Sequence, residues 1–113
     1  MPVQAYDVRV LHRFAEAVMD RSGEAAARVK GIALALLGGI VWRAQPGSIE
    51  IKELSGSKDN VLWVTIGTKR YAFAYNNQSG EIELRDRTQT GPALHSFSNA
   101  TPAAEVEAVF RRL

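Results

Sequence analysis

The stretch Asn60-Val61-Leu62-Trp63-Val64-Thr65-Ile66-Gly67-Thr68-Lys69-Arg70-Tyr71-Ala72-Phe73-Ala74-Tyr75-Asn76 decides the fold. Two runs of alternating apolar character flank Gly67-Thr68, and glycine at the first loop position is what a two-residue type II′ hairpin requires. Such a turn fixes the register. Ile66 then faces Lys69, Val64 faces Tyr71 and Leu62 faces Phe73, which gathers Leu62, Val64, Ile66, Tyr71, Phe73 and Tyr75 on one side of the sheet as the core face. A base-stacking platform would need the three aromatics exposed, whereas here they share a face with aliphatic residues.

Working outward toward the C-terminus, a four-residue loop, Asn77-Gln78-Ser79-Gly80, is the choice that places Ile82 and Leu84 on the same core face, opposite Tyr75 and Phe73. The other face then carries Val61, Trp63, Thr65, Arg70, Ala72, Ala74, Glu83, Arg85 and Arg87, with an apolar patch around Trp63, Ala72 and Ala74. Arg87 to Ala100 reads as loop, in which Ala93 to Phe97 adds a short strand. Thr101-Pro102 opens a last helix, Thr as N-cap and Pro at the first helical position, with Val106, Val109, Phe110 and Leu113 on one side.

Toward the N-terminus, Ser48 to Leu54 and Ile40 to Arg43 read as strands flanking Gln45-Pro46-Gly47-Ser48, a type II turn. Asp7 is the expected N-cap of an amphipathic helix ending near Arg21, in which Val10, Leu11, Phe14, Val18 and Met19 recur at helical spacing. A second helix is expected from Gly23, capped by Ser22 and with Glu24 in its first turn, to Leu37, stopping at Gly38-Gly39. Its second half is apolar around its whole circumference, so it must be covered on several sides. The expectation is a single α+β domain over residues 1–113: two N-terminal helices, an antiparallel meander of about five strands and one C-terminal helix packed on the sheet.

Composition bounds the chemistry. The chain has 113 residues and no cysteine, which excludes disulfides, thiolate metal sites and thiol nucleophiles, and its two histidines stand far apart in sequence. No metal and no cofactor are expected. A formal net charge of +2 gives no electrostatic argument for a polyanion partner. The longest uncharged run, Gly31 to Trp42, holds twelve residues against the roughly 20 that a membrane helix needs, and no secretory pattern precedes it, so a cytoplasmic protein without a membrane span is expected. The glycines match neither a Walker loop nor a dinucleotide fingerprint, and no serine sits in a nucleophile elbow.

Three groups of residues remain as site candidates. His12 and His95 are the only side chains that ordinarily titrate near neutrality, and as a pair they would permit acid/base cleavage of RNA, although both read more simply as packing or surface residues. Arg70, Arg85 and Arg87 lie close together in the chosen register, with Arg70 facing Arg87, and form a candidate anion site unless Glu83 or Asp86 neutralises it. Leu34 and Leu37 on the second helix, with Trp63, Ala72 and Ala74 on the sheet, form a candidate interface.

The C-terminal pattern Ile82-Glu83-Leu84-Arg85-Asp86-Arg87-Thr88, then Gly91, Leu94, Phe97, Asn99, Thr101-Pro102, Val106, Phe110 and Leu113, resembles short orphan proteins encoded by integron gene cassettes. The resemblance implies a bacterial mobile-element origin, a compact α+β fold and self-association, and it brings no activity with it. From the residues themselves the preferred expectation is a non-catalytic binding or interaction module acting as a homo-oligomer, a dimer, with a protein or small molecule as ligand. A nucleic-acid-associated regulator using the arginines is the alternative, and a small RNA-cleaving toxin the third.

Overall fold

The computed structural model describes residues 5–20, 27, 29–53, 60–76, 79–88 and 91–113. Its elements in chain order are α1 (Ala5–Met19), α2 (Lys30–Arg43), β1 (Glu50–Glu53), β2 (Asn60–Ile66), β3 (Lys69–Asn76), β4 (Glu81–Asp86), β5 (Ala93–Phe97) and α3 (Ala103–Arg112). The fold is α+β. The five strands form one antiparallel sheet in the order β1-β2-β3-β4-β5, each strand pairing with its neighbour in sequence.

The hairpin stands as read. Ile66 pairs with Lys69, Val64 with Tyr71 and Leu62 with Phe73. Gly67 takes φ 65, while Thr68 is not among the residues of positive φ, which is the type II′ combination. The four-residue loop also holds, since Tyr75 pairs with Ile82 and Phe73 with Leu84; Asn77 and Gln78 themselves lie outside the described residues. Leu62, Val64, Ile66, Tyr71, Phe73, Ile82 and Leu84 are all buried, and Tyr75 packs at the edge of the same cluster. The short strand between Ala93 and Phe97 is the fifth strand, joined to β4 across a register shift between Leu84 and Arg85.

All three helices contribute to that core. Val10, Leu11 and Phe14 of α1, Ile32, Ala33, Leu36 and Ile40 of α2, and Val106, Val109 and Phe110 of α3 are buried in one cluster with the sheet's inner face. Helix α1 packs on α2, β1 and β2, and α3 lies along α2. Phe110 stacks on Phe73 with ring centroids 5.9 Å apart and planes 11° apart, tying α3 to the middle strand.

One helix boundary differs from the expectation. Helix α2 does not stop at Gly38-Gly39 but runs on to Arg43, so Ile40 to Arg43 is helix and not strand. Its expected start, with Ser22, Gly23 and Glu24, lies outside the described residues. Glycine inside a helix costs roughly 1 kcal/mol relative to alanine. At Gly39 packing offsets that cost: a Cβ built there would lie 2.5 Å from Cε2 of Phe110, so only a residue without a side chain lets the ring in. The Pro46-Gly47 turn survives as read, with Gly47 at φ 78 and Ser48 N–H donating to Gln45 O at 3.1 Å. It joins α2 to β1, and just before it Ala44 makes a single bridge with Ile66 of β2.

Two of the three expected N-caps, Asp7 and Thr101, also change. Asp7 is not an N-cap, because α1 begins at Ala5; Asp7 lies in the first turn, fully buried, where the helix dipole favours a carboxylate. Its Oδ2 accepts the Gly47 N–H at 2.7 Å, which pins α1 to the turn between α2 and β1, and its Oδ1 has no hydrogen-bond partner among the described residues. At the other end Pro102, not Thr101, holds the N-cap position of α3. The Thr101 hydroxyl instead accepts the Ser98 N–H at 3.0 Å, closing the turn that leads into the helix.

The start of α2 is capped from a distance. Val29, at its N-cap position, offers no side-chain acceptor, and the Asn99 Oδ1 accepts the Ile32 N–H at 3.0 Å while Asn99 Nδ2 donates to Ala27 O at 2.8 Å. Asn99 therefore satisfies one of the orphan N–H groups of a helix that lies 67 residues away in sequence. Replacing Asn99 by alanine is expected to lower stability by about 1 kcal/mol, the usual worth of a cap, and urea denaturation of the variant beside the parent measures it.

Candidate interaction surface

Helix α2 explains why this chain has an unusual surface. Its residues are apolar all the way round, so burying Ile32, Ala33, Leu36 and Ile40 leaves other apolar residues outside. Leu34 is 54% exposed, Val41 46% and Trp42 50%, and all three lie on the same outer side of the helix with Ala35 and Gly38. A groove of about 260 Å³ opens beside this stripe, between α2 and α3, lined by Ala35, Gly38, Gly39, Trp42, Ala103, Val106, Glu107 and Phe110. The groove exists because the two glycines remove side chains from the α2 wall.

Charge frames the groove at its Trp42 end. The guanidinium carbons of Arg43 and Arg111 lie 5.7 Å and 5.3 Å from the Trp42 ring centroid, within cation–π range. Arg111 Nη2 is 2.7 Å from Glu107 Oε2 one turn earlier on α3, and Arg43 Nη2 donates to Leu113 O at 2.7 Å. Trp42 is thus held upright by two cations while half of its surface stays open.

Of the expected interface residues, Leu34 is exposed and Leu37 half-buried at the edge of the core. Trp63 and Ala74 are half-buried on the far face of the sheet, and Ala72 there is completely covered. The open apolar surface therefore lies on α2. Val41 and Trp42 are not legible in the sequence as part of this surface, because Gly38-Gly39 reads locally as the end of the helix. With the helix continued through them, the three- and four-residue spacing of Leu34, Gly38, Val41 and Trp42 would have placed them on one side.

The arginines each have a carboxylate nearby. Arg70 Nη2 lies 3.2 Å from Glu50 Oε1, on the next strand but one, and its Nη1 donates to Ser48 O at 3.5 Å. Arg85 Nε donates to Glu83 Oε1 at 3.1 Å and its Nη1 to Gly91 O at 2.7 Å, while Asn76 Nδ2 donates to the other oxygen of Glu83 at 3.3 Å. Arg87 Nε lies 4.0 Å from Asp86 Oδ1, with its side chain largely in solvent. Arg70 and Arg87 stand side by side in the backbone, where the Arg87 N–H donates to Arg70 O at 3.0 Å. Arg87 then takes φ 69, just past the end of β4.

The histidines are not brought together. His12 is exposed on α1, with Nε2 3.1 Å from Glu16 Oε1 one turn on. His95 is on β5, the opposite edge of the sheet from β1, with Nε2 2.7 Å from Glu105 Oε2 in the first turn of α3 and its ring 4.7 Å from that of Phe97. The His95–Glu105 contact clips β5 to α3. Among the described residues no three His, Cys, Asp or Glu side chains cluster at metal-binding distance, and no helix is long and apolar enough to cross a membrane.

Among the described residues, a five-stranded antiparallel meander backed by three helices, with one apolar helix face left open, defines an α+β protein. The chain matches, over residues 11–107, the family described as integron cassette protein VCH_CASS1 chain, and it belongs to that family of integron cassette proteins. The match extends the resemblance carried by the C-terminal third back into α1. A comparison with curated proteins finds no match.

Proposed function

We propose that this integron cassette protein is a non-catalytic interaction module that acts in the cytoplasm as a homo-oligomer, a dimer in the simplest case, and presents its assembled surface to a protein or small-molecule ligand. The observation that carries this reading is the outer side of α2, where Leu34, Val41 and Trp42 are each about half exposed on one helix. Single exposed apolar residues are ordinary on protein surfaces, but a contiguous group beside an apolar groove is the usual mark of a contact site. Closed two-fold dimers are the commonest way in which such a face is covered.

Size-exclusion chromatography with light scattering, on the full chain at low and at high salt, tests it. A dimer that persists at high salt is the expected result, because burial of apolar surface is not screened by ions. A monomer at both salt concentrations and at every protein concentration tried overturns the proposal.

A further inference from the structure

Resting on the oligomer reading, we infer that the occupant of the α2–α3 surface is a second copy of this chain, packed antiparallel about a two-fold axis that passes at the level of Gly38 and Val109. The argument starts from how α2 and α3 lie against each other. Gly39 meets Phe110, and Arg43 reaches Leu113 O across a sequence separation of 70, so the helices run parallel and Gly38 stands within one residue of the level of Val109.

Each helix carries a pattern that is complementary to itself when reversed about that level. On α2 the exposed residues Leu34 and Trp42 are equally spaced on either side of Gly38, as are Ala35 and Val41. Reversal sets Leu34 against Trp42 of the second copy and Ala35 against Val41, the smaller side chain of each pair against the larger. Gly38 falls at the crossing point, where an added Cβ would meet nothing within 4 Å in its own chain, so two backbones can approach there. On α3, Glu107 and Arg111 are equally spaced about Val109. Reversal sets Glu107 against Arg111 of the second copy, and Arg111 against its Glu107. The two pairs, each already joined within its own chain at 2.7 Å, become a ring of alternating charge. The apolar centre and the charge centre come from different helices, and they fall at the same height.

This arrangement also suits the groove. Arg111 already lies over Trp42, so the charge ring forms beside the tryptophan that Leu34 of the second copy would cover. A parallel arrangement of copies would instead place Glu107 beside Glu107 and Arg111 beside Arg111. Electrostatic complementarity of this kind selects orientation and register, while the apolar stripe supplies the contact area.

The test exchanges the charges. Glu107→Arg and Arg111→Glu are made separately in the full chain; the two side chains are 61% and 65% exposed, so the fold does not depend on them, and circular dichroism checks that it persists. Each variant alone presents two like-charge pairs across the axis and is expected to associate at least tenfold more weakly than the parent at low salt. Mixed in equal amounts, the two variants restore both opposite-charge pairs between chains although the pair within each chain stays broken. Light scattering and native mass spectrometry are therefore expected to find a one-to-one heterodimer. If the parent is a dimer and both variants associate as it does, or if the variants weaken but fail to recombine, this packing is overturned while the oligomer reading stands. A parent that is monomeric throughout removes the oligomer reading itself.

Discussion

Replacing Phe110 by alanine is expected to cost about 3–5 kcal/mol, the usual loss for emptying a fully buried aromatic site. Its ring is inaccessible to solvent, stacks on Phe73 and fills the notch that Gly39 leaves in α2. The wall at Gly39 is backbone, so no side chain at that position can swing in to fill the space. Since domains of this size have total stabilities of about 5–15 kcal/mol, the variant would retain only a fraction of its margin, and a urea titration followed by circular dichroism is the measurement. A loss under about 1 kcal/mol would mean that α3 contributes far less to the core than its three buried residues indicate.

Adjacent glycines on α2 are expected to respond with opposite signs. Gly39→Ala puts a Cβ 2.5 Å from Cε2 of Phe110, a distance no real contact tolerates, so ring and helix must move apart. Overpacking of this kind costs about 1–3 kcal/mol, more than the roughly 1 kcal/mol that alanine returns in helix propensity. Gly38→Ala meets nothing within 4 Å and is expected to stabilise by up to about 1 kcal/mol. Both are measured on dilute protein by urea denaturation. The Gly39→Ala, Phe110→Ala double variant is expected to lose less than the sum of the two single losses, because alanine at 110 vacates the space that the new Cβ needs. Additive losses would show that the close approach of residues 39 and 110 is not what makes glycine necessary.

That pair of glycines also marks where reading the sequence reached its limit. Strand register was legible because a hairpin turn states its own geometry: glycine at the first loop position and alternation on both sides leave one solution, and the pairs from Leu62–Phe73 to Ile66–Lys69 are that solution. Gly38-Gly39 carries no such statement. Locally it is a stop signal, and only the ring of Phe110, 71 residues further along by their numbers, turns Gly39 into a packing position. Asp7 is a similar case, since a carboxylate near a helix start reads as a cap, and its true acceptor role toward Gly47 depends on a turn 40 residues away. For the same reason the surface site was only half legible. Leu34 follows from the apolar circumference of the helix, whereas Val41 and Trp42 required knowing that the helix goes on.

Strand order equal to chain order has a consequence for how the chain closes on itself. Each strand finds its partner among residues just behind it, so the sheet can grow without bringing distant parts of the chain together. The long-range closures are made by helices: α3 against α2, through Arg43 and Leu113, and Asn99 beneath the start of α2. Loop entropy therefore places the seating of α3 late, after the meander has formed and has drawn the two ends of that long loop near each other. Until then the face of α2 that receives α3 is bare along with its outer side, and the half-assembled chain exposes more apolar helix than the finished one. Helix α3 is thus the piece that closes the core over the inner side of α2 and leaves only the outer side bare.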